Sequence, residues 1–258
     1  MNAKNYEGEA MKKVKFVLFA FMMLGLLNAK ECVSPLSRSI KYHQNSAEIK
    51  ALQLQAYQAA KMALFTNLKN LKKFKSSDDK KPAIILDLDE TVLDTSDYAA
   101  YLAKNCLEYT EQTWDAYEKD HTSVLIPGAL DFLQYASSKG VKIFYISNRA
   151  KKNKAYLLKT LKNLHLPQVS QESVLLKSNN TKQERRLLVA ENYEIILQVG
   201  DTLHDFDAIF ADEKDSQKQQ QKVFLNAEKF GREWIILPNS LYGTWEGDQI
   251  LRTWKHRK

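Results

Sequence analysis

Residues 84–94 read IILDLDETVLD. An apolar run of Ile84, Ile85 and Leu86 ends in Asp87, Asp89, Glu90 and Asp94, four acids within eight residues. A short β-branched run bounded by turn residues predicts a strand buried on both faces, as in the middle of a parallel sheet. Side chains alternate along a strand, so Asp87 and Asp89 are expected on one side and Leu88 on the other. Carboxylates crowded at such a tip repel one another. Either some hold a proton, at a cost in stability, or a cation sits among them.

The same pattern of strand and polar tip recurs along the chain. Residues 46–73 contain neither Pro nor Gly and carry Tyr57, Leu64, Leu68 and Leu71 at helical spacing, which predicts one long helix. The polar break KSSDDKKP at 75–82 separates it from the first strand. A turn at Pro127-Gly128 opens a helix through Leu130, Leu133 and Tyr135, closed by Gly140. VKIFYIS at 141–147 reads as a second strand, and 151–165 as a lysine-rich amphipathic helix. SVLL at 173–176, EIILQVGD at 194–201 and WIILP at 234–238 read as further strands, with a helix near 181–191. QKQQQK at 217–222 reads as an exposed helix or loop. Strand and helix in alternation predict an α/β fold, a Rossmann-like parallel sheet with helices on both faces. Residues 97–126 interrupt the alternation with Tyr98, Tyr101, Tyr109, Trp114 and Tyr117 among scattered charges. They are expected to form a small helical cap above the strand ends, with the 45–73 helix as a second contributor.

The net charge of +7 is spread along the chain with no block of five or six basic residues. That biases the protein toward small anionic partners and against a nucleic-acid polymer. Lys12, Lys13 and Lys15 precede twelve uncharged residues, Phe16–Leu27. A membrane span needs about 20 apolar residues, so this run falls short. A basic stretch, a short apolar core and then NAKE is the layout of a secretory signal peptide, with Met11 as an alternative start. Residues 1–29 are therefore expected to be cleaved after Ala29, leaving residues 30–258 as one domain. The expected location is the periplasm, the outer membrane or the cell surface; an uncleaved signal anchor is the competing reading. Lys30 and Glu31 before Cys32 argue against lipid attachment there. Two cysteines, Cys32 and Cys106, allow at most one bridge. Peripheral membrane association and homo-oligomers remain open at this stage.

In open parallel sheets, ligands bind beyond the carboxyl ends of the strands. Three strands bring polar chemistry there: Asp87, Asp89 and Thr91 from the first; Ser147, Asn148 and Arg149 from the second; Gly200, Asp201 and Asp205 from the third. Hard oxygen ligands suit Mg²⁺, and a divalent ion would let an acidic crevice accept a phosphate. The expected chemistry is a metal held by the acids while one of them attacks phosphorus.

DLDET followed by SNR and VGDTLHDF resembles the haloacid dehalogenase superfamily. More narrowly, IILDLDETVLDTSDY with IILQVGDTLHDF resembles the paired signature of the bacterial class C non-specific acid phosphatases (DDDD type), and IPGALDFL, IFYISNR and ILPNSLYGTWEG follow in that family's order. The resemblance spans roughly residues 45–255. It implies the haloacid dehalogenase fold, with Asp87 as nucleophile forming an aspartyl-phosphate. It makes Asp89 the general acid and then the base. Asp87, the main-chain carbonyl of Asp89, and Asp201 would ligate Mg²⁺, with Asp205 as a further ligand or a supporting acid. Ser147 would bond the phosphoryl oxygens, and a lysine would neutralise nucleophile and phosphate together, Lys182 being favoured over Lys177. Thr91, Asn148, Arg149, Tyr98, Trp114, Tyr117 and Tyr242 stand where substrate contacts are expected, although core packing is the default for such aromatics. Glu90, Asp94 and Asp97 read as turn and capping acids. The implied activity is an exported Mg²⁺-dependent acid phosphatase acting on small phosphomonoesters, nucleoside monophosphates or aryl phosphates. A phosphomutase or dehalogenase of the same superfamily is one competitor. A surface binding protein for nucleotide or haem, with incidental hydrolysis, is another.

Overall fold

The computed structural model describes residues 36–74, 80–120, 123–211 and 215–248. The signal segment, the cleavage position after Ala29 and Cys32 lie outside the described residues. The opening run is the end of strand β1, Lys81–Leu86. Four more strands lie parallel with it: β4 (Lys142–Ala150), β5 (Val174–Lys177), β6 (Tyr193–Gly200) and β7 (Trp234–Ile236), in the order β5-β4-β1-β6-β7. The chain builds β1, β4 and β5 in one direction and then returns to set β6 against the other side of β1. That reversal opens a crevice at the carboxyl end of β1.

Both faces of β1 are covered, which is why its sequence is a continuous apolar run. Ile84 and Leu86 pack with Ile143, Tyr145 and Phe132 on one side, while Ala83 and Ile85 pack with Phe144, Ile146 and Val189 on the other. A short helix α1 (Ser37–Asn45) precedes α2 (Ala47–Phe74), the long helix expected from residues 46–73. α2 lays Tyr57, Ala60, Ala63 and Leu64 into the larger core, beside α5 (Ala129–Ser138) and α6 (Lys154–Asn163). α7 (Lys182–Asn192) covers the opposite face through Val189. Gly128 sits at φ 90°, and a side chain there would press on the Tyr57 ring, so the turn before α5 needs glycine.

Residues 95–123 are an insertion between β1 and α5. It holds α3 (Ser96–Asn105) and α4 (Glu111–Asp120), and its ends are tied by a two-residue antiparallel ladder of β2 (Leu93–Asp94) with β3 (Val124–Leu125). Other boundaries shift slightly from the sequence reading. β4 runs three residues beyond Ser147, because Ala150 still pairs with Lys177 across an irregularity. Residues 217–222 lie in a helix, α8 (Ser216–Leu225), whose first turn is capped by the Asp215 side chain accepting from Gln217 N at 2.9 Å. No helix among the described residues is long and apolar enough to cross a membrane.

Tyr57 links α2 to the acidic loop: its wholly buried hydroxyl donates to Thr91 O at 2.6 Å. Tyr57→Phe strands that buried carbonyl. The expected cost is about 1–3 kcal/mol, read as a lower denaturant midpoint with an unchanged slope. An unaltered midpoint would mean that the bond contributes nothing.

Candidate active site

Asp87 leaves β1 with its N–H donating to Val199 O of β6 at 3.0 Å. The next turn is tight: Leu88 O accepts from the N–H groups of Thr91, Val92 and Leu93. Glu90 takes φ 54°, the left-handed region that a residue with a Cβ enters at a cost. What holds it there is burial and hydrogen bonding, since its Oε1 accepts from Thr95 N at 2.9 Å and Thr95 Oγ1 at 2.6 Å. Burial, reinforced by Asp89, pushes the Glu90 carboxyl up to about 8. Asp94 does cap, accepting from Ser96 N at 3.0 Å. Glu90 is thus an interior group of the loop, a role that its position in DLDET does not reveal.

Asp87, Asp201 and Asp205 each bring a carboxylate oxygen within 4.8 Å of the others, and all three are buried. Burial pushes the Asp87 carboxyl up to about 7, with Asp205 and Asp89 adding to the rise and Lys182 opposing it. Burial, with Asp205, Asp87 and Glu90 adding to it and Lys182 opposing it, raises Asp201 well above the ordinary range. Three buried carboxylates, two of them with raised proton affinity, form an oxygen-only donor set that fits a hard divalent cation. Lys182, the first residue of α7, reaches Asp87 Oδ1 at 2.5 Å and also pairs with Asp205. Burial works against its charge, but the two aspartates more than offset this and raise its pKa. Lys177, the alternative lysine, sits exposed at the end of the edge strand β5.

The carboxyls are fixed from behind. Thr91 Oγ1 donates to Asp201 Oδ1 at 3.1 Å and Asn239 Nδ2 to Oδ2 at 2.7 Å. Thr202 N and Oγ1 both donate to Asp205 Oδ2 at 3.0 Å. Thr91, expected to contact substrate, is wholly buried and holds a carboxylate instead. Asn239 was not legible as a site residue; it lies within ILPNSLYGTWEG, far along the chain.

Asp89 does not join the three-acid cluster through its side chain. Its carboxyl is gripped by Arg149, with Nε at 3.1 Å and Nη2 at 2.6 Å from Oδ1. Arg149 is buried, bonds Glu118 Oε1 of α4 at 3.3 Å and lies 5.2 Å over the Trp114 ring. Arg149, expected at the substrate, also braces Asp89 against the inserted helices. Ser147 is wholly buried at the crevice floor, where its Oγ accepts from Arg149 N. Its carbonyl and the Asn148 side chain are held by Arg185 at 2.7 and 2.8 Å.

Tyr98, Trp114 and Tyr117 pack on one another between α3 and α4, with ring centroids 4.8–5.2 Å apart. Tyr117 donates to Asp97, and Tyr98 shares a hydrogen bond with Thr113. They form the core of the insertion. Trp114 also lines a cavity of about 260 Å³ with Tyr109, Asn148, Arg149, Lys152 and Lys177. Tyr242 is half-buried near Asp201 and Glu90, whose charges add to desolvation in raising its pKa.

Gly200 immediately precedes Asp201, and a Cβ on it would collide with the Asp205 side chain. Gly200→Ala is expected to push Asp205 off Lys182 and lower turnover at least tenfold with little loss of helix content. Turnover within twofold of wild type would show that Asp205 can move without consequence.

Residues 25–245 match the family described as HAD superfamily, subfamily IIIB (Acid phosphatase). Among solved structures, the chain is similar to the class C acid phosphatase from Bacillus anthracis at 36% identity and a TM-score of 0.74, covering 81% of this chain and 86% of that one. A second structure of that enzyme, with tungstate bound, matches at 37% identity, with the same coverage and TM-score.

Proposed function

The chain belongs to the acid phosphatases of haloacid dehalogenase subfamily IIIB, a phosphomonoester hydrolase family, and from that premise we propose an exported, Mg²⁺-dependent enzyme acting on nucleoside monophosphates or aryl phosphates. The observation that carries this reading is Lys182 bridging Asp87 and Asp205 while Asp201 completes a buried acid triad. Mg²⁺ bound by Asp87, Asp201, Asp205 and the Asp89 carbonyl would neutralise the acids and the phosphoryl charge. The Asp87 oxygen not held by Lys182 attacks phosphorus, the ester P–O bond breaks, and Asp89 gives its proton to the leaving oxygen. A water then loses a proton to Asp89 and attacks the aspartyl-phosphate, releasing phosphate and restoring Asp87. Lys182 and the Ser147 hydroxyl meet the spreading charge on the phosphoryl oxygens. The insertion that carries α3 and α4 serves as the cap. Tungstate, bound by one relative, has the tetrahedral oxyanion shape expected of such a site's ligand.

The test is hydrolysis of p-nitrophenyl phosphate and of nucleoside monophosphates by the chain lacking residues 1–29, with and without chelator. Chelator-insensitive turnover would remove the metal from the proposal. Stability supplies a second test. Asp87, pushed up to about 7, and Glu90, pushed up to about 8, take up protons on folding in the metal-free chain. Stability from such groups is present at low pH and is lost as pH rises toward those values. The chelated chain should therefore melt higher at pH 5 than at pH 7.5, and added Mg²⁺ should raise Tm most at pH 7.5. Equal Mg²⁺ shifts at both pH values would contradict it.

A further inference from the structure

A second buried donor set is formed by α1, the acidic loop and the end of β2. His43 of α1 is wholly buried, and neither ring nitrogen has a hydrogen-bond partner. Glu90 is wholly buried as well. Thr95 occupies its Oε1 and the Tyr242 hydroxyl is near enough to lower its proton affinity, whereas Oε2 has no hydrogen-bond partner. Asp94 Oδ1 stands 3.8 Å from His43 Nε2. One donor atom from each of the three residues lies within 4.8 Å of the other two. On the facing stripe of α2, Gln53 is also wholly buried with both amide atoms unpaired, between Lys50, which reaches Asp94, and Tyr57, which reaches Thr91. Buried polar atoms are nearly always satisfied, so unpaired atoms on His43 and Glu90, which converge with Asp94, call for a shared partner.

We propose that His43, Glu90 and Asp94 form a second, structural site for a transition-metal dication of the Zn²⁺ type. One imidazole with two carboxylates is a mixed nitrogen and oxygen donor set, which Zn²⁺ accepts readily and Mg²⁺ does not favour. Metal–donor bonds of about 2.0–2.2 Å hold neighbouring donors roughly 3–3.5 Å apart, so the His43–Asp94 pair needs to close by only a few tenths of an ångström. Burial lowers the proton affinity of His43, with Lys50 adding to the effect and Asp94 opposing it. The ring lone pair is thereby left for a metal. Lys50, 3.4 Å from Asp94 Oδ2, offsets one of the two negative charges, and a dication outweighs the other, leaving the site with a net charge of about +1. Thr95 fixes the Glu90 carboxyl from behind, the usual arrangement around a ligating acid. The site would tie α1 to the loop that carries Asp87 and Asp89, and it supplies a reason for Glu90 to occupy a left-handed conformation in the interior.

The inference stands apart from the phosphatase reading, and the experiment keeps the two separate. The full chain carrying Asp201→Asn, which disables the oxygen-only cluster, is stripped with chelator and dialysed against Zn²⁺. The expected result is one Zn²⁺ retained per chain, with imidazole scattering in its X-ray absorption spectrum. Adding His43→Gln to that background should lower retention at least tenfold. No retained zinc, zinc without imidazole scattering, or zinc that survives His43→Gln would each overturn the site. Should that double variant fail to fold, Asp94→Asn in the same background and the imidazole signal of the Asp201→Asn chain decide the matter.

Discussion

Asp87→Asn is expected to lower phosphate release by at least about 10⁴-fold while leaving the melting temperature of the metal-free chain unchanged or higher. The two halves of that result have one cause. Asp87 is buried beside Asp201 and Asp205, and its carboxyl is pushed up to about 7. Ionising it inside the protein is costly, so a neutral amide of the same shape removes a repulsion. Lys182 keeps its pairing with Asp205, so no buried cation is orphaned. Activity, however, needs a carboxylate oxygen that can bond to phosphorus, and an amide cannot supply one. Rapid quenching with labelled substrate should trap label on the wild-type chain and none on the variant. A variant retaining more than a hundredth of wild-type turnover would remove Asp87 from the nucleophile's role. A loss of activity accompanied by a large fall in Tm would instead mean that Asp87 supports the fold.

Much of this arrangement was readable before the structure, for a physical reason in each case. A parallel strand covered on both faces must be apolar throughout, so IIL announced β1, and the abrupt change to acid announced its carboxyl end. Asp201 followed the same rule at the end of β6. Lys182 was favoured over Lys177 by motif spacing; the first residue of α7 pairs with Asp87, whereas Lys177 ends an edge strand. What stayed hidden depends on contacts between residues far apart in sequence. Glu118 reads as one more charge on an exposed helix, yet it meets Arg149 across 31 residues. Asn239 reaches Asp201 across 38. Glu90 and His43 carry no pattern of their own, because their burial comes from three segments closing over one loop. The aromatics of the insertion were legible as aromatic and not as packed: hydrophobic content does not tell a substrate wall from a small core.

The strut between Asp89 and α4 predicts the largest effect on stability. Arg149→Ala should cost about 3–5 kcal/mol, seen as a fall in Tm of roughly ten degrees. Arg149 and Glu118 are both almost wholly buried, with side-chain exposures of 3% and 1%. Removing the cation leaves Glu118 with Asn153 Nδ2 as its remaining donor, at 2.5 Å, and leaves Asp89 without either guanidinium contact. Burial already raises the Glu118 pKa, and Arg149 is what opposes the rise. Without Arg149 the folded chain must hold a proton on Glu118 that the unfolded chain releases. The deficit should therefore grow as pH climbs above the ordinary glutamate value and shrink in acid. Glu118→Gln placed on Arg149→Ala should recover part of the loss, because it removes the stranded charge without restoring the pair. Turnover should fall further than the folded fraction does if Asp89 is the proposed general acid, since its carboxyl loses the guanidinium bonds that hold it in place. A pH-independent deficit that Glu118→Gln does not relieve would show that Arg149 contributes packing against Trp114 rather than charge.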